Sequence, residues 1–311
     1  MSGIATRDAY GKALVEVGGK NPNIVVLDAD LSKSTKTVDF AKAYPDRFFD
    51  MGIAEANMIG TAAGLATAGK IPFVSTFALF GSLRVGDQIR NSLCYPNLNV
   101  KIAVTHAGLT LGEDGASHQA IEDIAMMRAI PNMTIIVPAD GEETRQVIIA
   151  AAEYNGPVYI RLGRPKVPLV FDQNYKFKIG KGVTVRDGSD VTIIAMGVML
   201  SPALEAAKQL EQEGISARVI NMPTIKPIDK DIIIKAAKET KGIVTAEEHN
   251  IYGGLGGAVA EVVAESEPTF VNRVGVEDTF GESGKPDELL EKYGLTKENI
   301  IAKAKDIINK K

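Results

Sequence analysis

The chain has 311 residues, of which 45% are hydrophobic, and a net charge of −4. This length suits two domains of moderate size, and the apolar content excludes a disordered chain. Acidic and basic residues are interspersed, which excludes nucleic acid and an anionic membrane surface as expected partners. No apolar run is long enough for a membrane span, and a single cysteine, Cys94, excludes an internal disulfide. Because the first residues contain no apolar signal region, we expect a cytoplasmic protein.

Strand-like and helix-like segments alternate through residues 1–168. Apolar strands linked by crossover helices predict a mostly parallel sheet that is covered by helices on both faces. One helix, over residues 54–68, should end at Gly69, because glycine commonly terminates helices. The predicted strands are 23–27, 72–76, 99–105, 133–137 and 157–161, and the other helices are 6–18, 82–93, 117–129 and 141–154.

The same alternation restarts after a linker over residues 169–182. Residues 182–196 have the pattern of a strand pair or hairpin, and helices and strands alternate again up to a helical C-terminal segment. The predicted fold class is therefore α/β, with two consecutive domains at 1–168 and 183–311. Each domain is expected to contain a mostly parallel sheet with helices on both faces.

Glu55 stands at the start of the alanine-rich helix predicted over residues 54–68. Its sequence neighbours are apolar or small, so we expect a poorly solvated carboxylate that could share or transfer a proton. A simpler interpretation is that an acidic residue in the first turn stabilises the helix dipole. Taken alone, this residue favours the helix-dipole interpretation, and a functional role depends on the segments that accompany it.

Three polar segments directly follow predicted strands, where open parallel sheets bind their ligands. They are residues 28–34, residues 105–119 with two of the three histidines of the chain, and residues 161–165 with two arginines. The first segment is equally consistent with a capped helix start. The second segment favours recognition of a polar or anionic substrate over a metal site. An arginine in the third segment could hold a phosphate or be a solvated surface charge.

Two further patterns have a structural and a functional interpretation. Phe77 and Phe80 are spaced to lie on one side of a turn, either as core residues or as a stacking platform for a flat heterocycle. Residues 247–249 and the glycine cluster 253–257 resemble a nucleotide loop, but the glycine spacing does not match Gly-x-Gly-x-x-Gly. We therefore interpret the second domain as a packing and assembly domain.

Taken together, these segments resemble the thiamine diphosphate enzymes, and within them the transketolase family. The resemblance begins near Gly3 and covers nearly the whole chain. Residues 52–55 are similar to the family's pyrimidine-binding segment, whose glutamate contacts N1′ of the aminopyrimidine. Residues 76–80 are similar to its aromatic wall, and residues 105–119 contain segments similar to its substrate loop.

The resemblance implies a set of site residues. Two would be catalytic, namely Glu55 and His118. Those near the cofactor would be Glu55, Phe77, Phe80, Asp30 and Ile53. Those that contact sugar phosphates would be Arg7, Ser34, His106 and Arg164 at the phosphate, and Asp114 and His118 at the hydroxyls. Two positions differ from the family pattern, because an aromatic residue is replaced by Leu83 and a histidine by Ala56.

The family binds the cofactor's diphosphate through Mg²⁺ at a Gly-Asp-Gly segment, and this sequence contains no Gly-Asp-Gly. The resemblance therefore implies the C-terminal subunit of a split transketolase, with no metal bound by this chain. An N-terminal subunit would hold Mg²⁺ and share the thiamine diphosphate, and the family's usual dimer implies a homodimeric core within an α2β2 complex.

The activity implied is transfer of a two-carbon ketol unit from a ketose phosphate to an aldose phosphate. Three alternatives stay open on the sequence. The chain could be the β subunit of a 2-oxoacid dehydrogenase, half of a deoxyxylulose-phosphate synthase, or a non-catalytic subunit that has kept the fold.

Overall fold

The computed structural model describes residues 3–310, so the outermost residues of the two predicted domains, 1, 2 and 311, lie outside it. The first part of the chain contains these elements in order: β1 (Ile4–Ala5), α1 (Thr6–Lys20), β2 (Ile24–Asp28), α2 (Ser32–Thr35), α3 (Val38–Ala43), β3 (Phe48–Asp50), α4 (Glu55–Thr67), β4 (Ile71–Ser75), α5 (Gly86–Gln88), β5 (Lys101–Val104), α6 (Asp123–Ala129), β6 (Thr134–Ile136), α7 (Gly141–Glu153), β7 (Val158–Arg161) and β8 (Lys166–Val167).

The main sheet of this part has the order β12-β6-β7-β5-β4-β2-β3. All its neighbours pair in parallel except β12 (Thr224–Lys226), which comes from the second half of the chain and runs antiparallel to β6. The central strands β2, β5 and β7 are buried along their whole length, as expected for strands covered on both faces. The α/β prediction is thereby confirmed.

The second part follows the same plan with a smaller sheet. Its elements are β9 (Val183–Arg186), β10 (Val191–Ala195), α8 (Leu200–Gln212), β11 (Ala217–Asn221), β12, α9 (Lys230–Glu239), β13 (Gly242–Asn250), α10 (Leu255–Glu265), β14 (Phe270–Val276), α11 (Pro286–Lys292) and α12 (Lys297–Asn309). The sheet order is β14-β13-β10-β11-β9. The expected hairpin at 182–196 is wrong, because β9 pairs antiparallel with β11 rather than with β10.

Two predicted helices of the first part also differ in the structure. The segment 82–93 is not one α-helix but a 3₁₀ turn over Leu83–Val85, the short α5, and a π-helix over Ile89–Cys94. The helix predicted over 117–129 begins only at Asp123, because the residues before it form the turns of the polar loop. Helix α4 does end as predicted, with Gly69 at a φ of +82°.

Residues of the predicted linker form hydrogen bonds with the first part of the chain at the start of α7. The Asp140 carboxylate accepts the backbone N–H of Glu143 as a helix cap, at 2.8 Å, and those of Val170 and Phe171 at 2.7 and 2.8 Å. Its two oxygens therefore cap a helix and fix the path of the chain that leads to the second sheet. Within residues 3–310 no helix is long and apolar enough to cross a membrane.

Candidate functional site

The polar segments predicted after the strands meet at one edge of the large sheet. Strands β7, β5, β4, β2 and β3 are neighbours in that order, and all of them are parallel. Their carboxyl ends therefore lie side by side, and the segment after each one lies at this edge, where open parallel sheets have their binding crevice. Helix α4, which carries Glu55 at its first residue, follows β3 at this edge.

The loop after β2 is held by two carboxylates. Asp28 is buried and accepts hydrogen bonds from the backbone N–H of Leu31 and from the hydroxyls of Thr35 and Thr37, at 2.6 to 2.8 Å. Asp50 accepts the N–H of Asp30 at 3.1 Å. Helix α2 has no side-chain cap, so the polar residues of this loop shape a turn rather than cap a helix.

Glu55 is only 4% exposed, which agrees with the expectation of a poorly solvated carboxylate. The expectation of purely apolar or small neighbours is wrong, because Arg84 Nη1 donates to Glu55 Oε1 at 2.8 Å. The Arg84 guanidinium carbon also lies 4.1 Å from the centre of the Phe80 ring. A cation on an aromatic face is attracted by the ring quadrupole, so Arg84 binds both groups at once.

Planar side chains form a continuous column beside Glu55. The rings of His106 and Phe77 have centroids 4.0 Å apart, and those of Phe77 and Phe80 are 6.1 Å apart at an interplanar angle of 17°. His118 approaches the Phe80 ring edge-on at 5.1 Å. Phe77 is buried, at 8% exposed, whereas Phe80 is half-buried, so the stacking interpretation is favoured for Phe80 and Phe77 also packs inside the fold.

His106 is neutral in this environment. Arg7 Nη1 lies 3.1 Å from His106 Nε2, and since a guanidinium nitrogen can only donate, Nε2 must accept. The proton of the neutral ring then sits on Nδ1 and is donated to Thr105 Oγ1 at 2.8 Å. Burial and the positive charges of Arg7, Arg164 and Lys36 lower the pKa of His106 to about 3. Its φ of +58° is rare for a residue other than glycine, and such strain is often found at functional sites.

Three cations surround this histidine at the mouth of the crevice. Arg7, Lys36 and Arg164 all lie near enough to lower its pKa, and burial together with the charge of Arg164 lowers the pKa of Arg7 against the opposite effect of Asp8. Arg7 donates to the backbone carbonyl of Ser34 at 3.0 Å, and Arg164 pairs with the exposed Glu113 at 2.9 Å. Lys36 pairs with Asp8 at 3.4 Å, so the three cations face two carboxylates, and the remaining positive charge is suited to an anionic ligand.

The polar loop after β5 is supported by the second half of the chain. Glu248 at the end of β13 accepts the N–H of Thr110 at 2.6 Å, and Gln119 Nε2 donates to the carbonyl of Glu282 at 2.9 Å. At Gly108, with a φ of +78°, an added Cβ would lie 2.3 Å from the Glu248 carboxyl carbon. The close approach of this carboxylate therefore requires glycine.

Two motifs outside the crevice turn out to be structural. Arg161 is buried with Asp123 in an ion pair of 2.8 Å and donates to the carbonyls of Ala120 and Glu248, so it is not free to hold a phosphate. The Glu247 carboxylate accepts the N–H groups of Leu255 and Gly256, each at 2.7 Å. The glycine cluster at the start of α10 is thus occupied by a carboxylate of the chain itself rather than open to a nucleotide.

The structure places the remaining predicted site residues at the rim. Asp30 and Asp114 are exposed, and Ile53, which precedes α4, is 78% exposed. Ser34 contributes its backbone carbonyl to Arg7. Leu83, at the position of a family aromatic residue, is also largely exposed, at 42%.

Sequence reasoning missed Arg84 and Lys36 as members of the site. The one available signal for Arg84 was its spacing from Phe80, which suits a cation over a ring one turn away. No signal in the sequence singled out Lys36, which faces His106 from a left-handed position with a φ of +74°. Among residues 3–310 no group of three or more His, Cys, Asp or Glu side chains is placed to hold a metal ion.

Comparison with known proteins gives matches over nearly the whole chain. Residues 2–170 match the transketolase pyrimidine-binding domain, and residues 180–300 match the transketolase C-terminal domain. A transketolase C-terminal section from Methanocaldococcus jannaschii is 52% identical over 100% of this chain and 99% of its own length. Rat transketolase is 41% identical over 99% of this chain but only 49% of its own length, so the chain spans about half of that relative.

A solved structure described as a split gene transketolase, inactive beta4 tetramer, has 58% sequence identity and a TM-score of 0.91. The match covers 99% of this chain and 99% of the chain in that structure. On these matches and on the fold of two large, mostly parallel sheets, the chain belongs to the transketolase family and comprises that family's pyrimidine-binding and C-terminal domains.

Proposed function

We propose that this chain is one subunit of a two-chain transketolase, active only with a separate N-terminal subunit. The complex would transfer a two-carbon ketol unit from a ketose phosphate to an aldose phosphate. The observation that carries the proposal is a buried carboxylate, Glu55, at the edge of a stacked aromatic pair, beside a cluster of cations.

The residues at this edge fit the aminopyrimidine end of thiamine diphosphate. The Phe80 ring already carries a planar group stacked at 4.1 Å, so its face is accessible to a flat ring. The Glu55 carboxylate points to the same place, because its partner Arg84 stacks on Phe80. A flat heterocycle that stacks there would place a ring nitrogen within reach of the carboxylate.

Thiamine diphosphate, when bound, supplies the carbanion that attacks the ketose carbonyl. The role of Glu55 would be to hold or exchange the proton at the pyrimidine N1′. Burial strengthens this contact, because water competes little for a carboxylate that is only 4% exposed. Phe77 and Phe80 would fix the plane of the ring, and Asp30 and Ile53 would lie near the cofactor at the rim.

The cations at the mouth of the crevice would bind the phosphate of the sugar. Arg7 and Arg164 can each donate two hydrogen bonds to it, and the Ser34 hydroxyl can donate one. The neutral His106 would lie beside the phosphate and hold Arg7 in place, because its unprotonated Nε2 accepts from that guanidinium and its Nδ1–H is donated to Thr105. Asp114 and His118 would contact sugar hydroxyls from the polar loop. Holding the sugar at its phosphate end orients the carbonyl toward the catalytic residues Glu55 and His118.

The diphosphate end of the cofactor needs a second chain. Mg²⁺ requires several oxygen ligands in octahedral geometry, and residues 3–310 offer no acidic cluster for it. The N-terminal subunit, with a Gly-Asp-Gly segment, would bind Mg²⁺ and the diphosphate, and two copies of each chain would form an α2β2 complex. The relative described as a split gene transketolase supports this division.

A coupled assay of ketol transfer tests the proposal. The purified chain is assayed with thiamine diphosphate, Mg²⁺ and sugar phosphates, with and without an N-terminal transketolase subunit. Turnover is expected only in the mixture. The same mixture is also supplied with 2-oxoacids; if it decarboxylates them and does not transfer ketol units, the alternative β-subunit function would replace this one.

A further inference from the structure

Arg84 occupies the place that the proposed function gives to the aminopyrimidine. Its Nη1 donates to Glu55 Oε1 at 2.8 Å, and its guanidinium carbon lies 4.1 Å from the centre of the Phe80 ring. These are the two groups that would hold the cofactor ring, one by a hydrogen bond and the other by stacking. A guanidinium and an aminopyrimidine with a proton on N1′ can both bind to Glu55 and Phe80 in this way, since both are flat and both donate N–H groups to a carboxylate.

The two ligands cannot use this place at the same time. A planar group has to lie directly over the Phe80 ring to stack on it, and the Arg84 guanidinium already lies there. The Phe77 ring is nearly parallel to the Phe80 ring, at an interplanar angle of 17°, and their centroids are 6.1 Å apart, a gap that leaves no room for a third ring between them. A heterocycle that stacks on the open face of Phe80 must therefore displace Arg84.

Arg84 is placed so that this displacement costs little. Its side chain is 49% exposed, and within residues 3–310 its guanidinium has no hydrogen-bond partner besides Glu55. Ion pairs with an exposed partner contribute little to stability, because water solvates the released charge. Glu55 is in the opposite situation, because its carboxylate is buried and would otherwise lack a partner before the cofactor arrives.

We propose that Arg84 is a placeholder for the aminopyrimidine, which pairs with Glu55 and stacks on Phe80 until thiamine diphosphate displaces it. The inference rests on the proposed function. It assigns Arg84 a role in cofactor entry: each binding event must break the Arg84–Glu55 ion pair, so the pair lowers the apparent affinity for the cofactor.

The test is calorimetric titration of thiamine diphosphate, at fixed Mg²⁺, into the complex of this chain with an N-terminal transketolase subunit. Arg84→Ala removes both contacts, and we expect its Kd to be lower than that of the wild type by about fivefold, the scale of one weak ion pair. Arg84→Met removes the ion pair but keeps an unbranched apolar side chain over Phe80. Its Kd should lie between those of the wild type and Arg84→Ala. Arg90→Ala is the matched control, because this exposed arginine hydrogen-bonds to Asn91 and not to Glu55.

A crystal structure of the loaded complex provides a second readout, in which the Arg84 guanidinium should have left both Glu55 and the Phe80 face. Unchanged or weaker cofactor binding by both Arg84 variants would overturn the placeholder and leave the proposed function standing. A wild-type complex that binds no thiamine diphosphate would instead contradict the proposed function itself, and the placeholder with it.

Discussion

Replacing Glu55 with glutamine tests the proposed proton-handling role with a nearly isosteric change. The variant keeps the volume of the side chain and its ability to contact Arg84, but it loses the ionisable group. Removal of a positioned acid or base typically costs at least about 10²-fold in rate. That loss corresponds to about 2.7 kcal/mol in the activation free energy.

The structure predicts a much smaller effect of this substitution on stability. The only ion pair lost is the one to Arg84, whose side chain is 49% exposed, so the pair contributes at most about 1 kcal/mol. For a chain of 311 residues, with an unfolding entropy of about 2.1 cal/mol/K per residue, that is a shift in Tm of at most about 1.5 °C. The expected signature is therefore a large loss of turnover in a protein that unfolds almost normally.

The assay is ketol transfer by the reconstituted two-chain enzyme at saturating cofactor, with the Tm of the variant measured in parallel. Glu16→Gln is a matched control, because Glu16 is also paired with an arginine, Arg145, but lies on the surface of α1. The control should keep normal turnover. Near-normal turnover by Glu55→Gln would refute the role assigned to this carboxylate.

Three further predictions concern the cluster of cations, the polar loop after β5 and the buried histidine. Arg164→Ala should weaken productive binding of phosphorylated sugars by roughly 2–3 kcal/mol, the scale of a lost charge-assisted hydrogen bond, and should affect unphosphorylated sugars much less in steady-state kinetics. Gly108→Ala should lower the free energy of unfolding in urea by at least about 2 kcal/mol, because its Cβ meets the Glu248 carboxylate and its φ is positive. His106→Asn should flatten the acid side of the stability curve. The native pKa of about 3 lies below the ordinary 6.5, so the unfolded state binds more protons between these values and stability falls as the pH falls, by at most about 1.4 kcal/mol per pH unit.

Each of these predictions has a control or a contradicting outcome. Equal losses for phosphorylated and unphosphorylated sugars would mean that Arg164 is structural. Gly64→Ala, at a helical glycine with nothing within 4 Å of the added Cβ, should be neutral or stabilising in the same urea titration. An NMR titration in which the His106 ring gains its proton near pH 6.5 would contradict the buried, neutral state derived for it.

The general position of the site was predictable because it follows from local sequence and one topological rule. Polar segments that follow parallel strands must meet at the carboxyl edge of the sheet, whichever strands are neighbours. That rule brings His106 and Phe77 together although they lie in different loops. Local sequence patterns were also sufficient to predict the α/β class and the end of α4 at Gly69.

Features that depend on distant pairing could not be read from the sequence. The strand β9 was expected to pair with its sequence neighbour, but it pairs with β11, because no local pattern specifies the sheet order. The contact between Glu248 and Thr110 joins residues 138 positions apart. Arg84 was missed because its segment has the composition of a continuous helix, whereas the chain forms short 3₁₀, α and π turns that bring it back over Phe80.

The central claim is that the cofactor site is divided, with the aminopyrimidine end on this chain and the diphosphate end on another. Calorimetry with thiamine diphosphate and Mg²⁺, on the purified chain alone and with an N-terminal transketolase subunit, tests it most directly. We predict weak, Mg²⁺-independent binding by the chain alone, and tight, Mg²⁺-dependent binding by the complex. Tight Mg²⁺-dependent binding by this chain alone would contradict it.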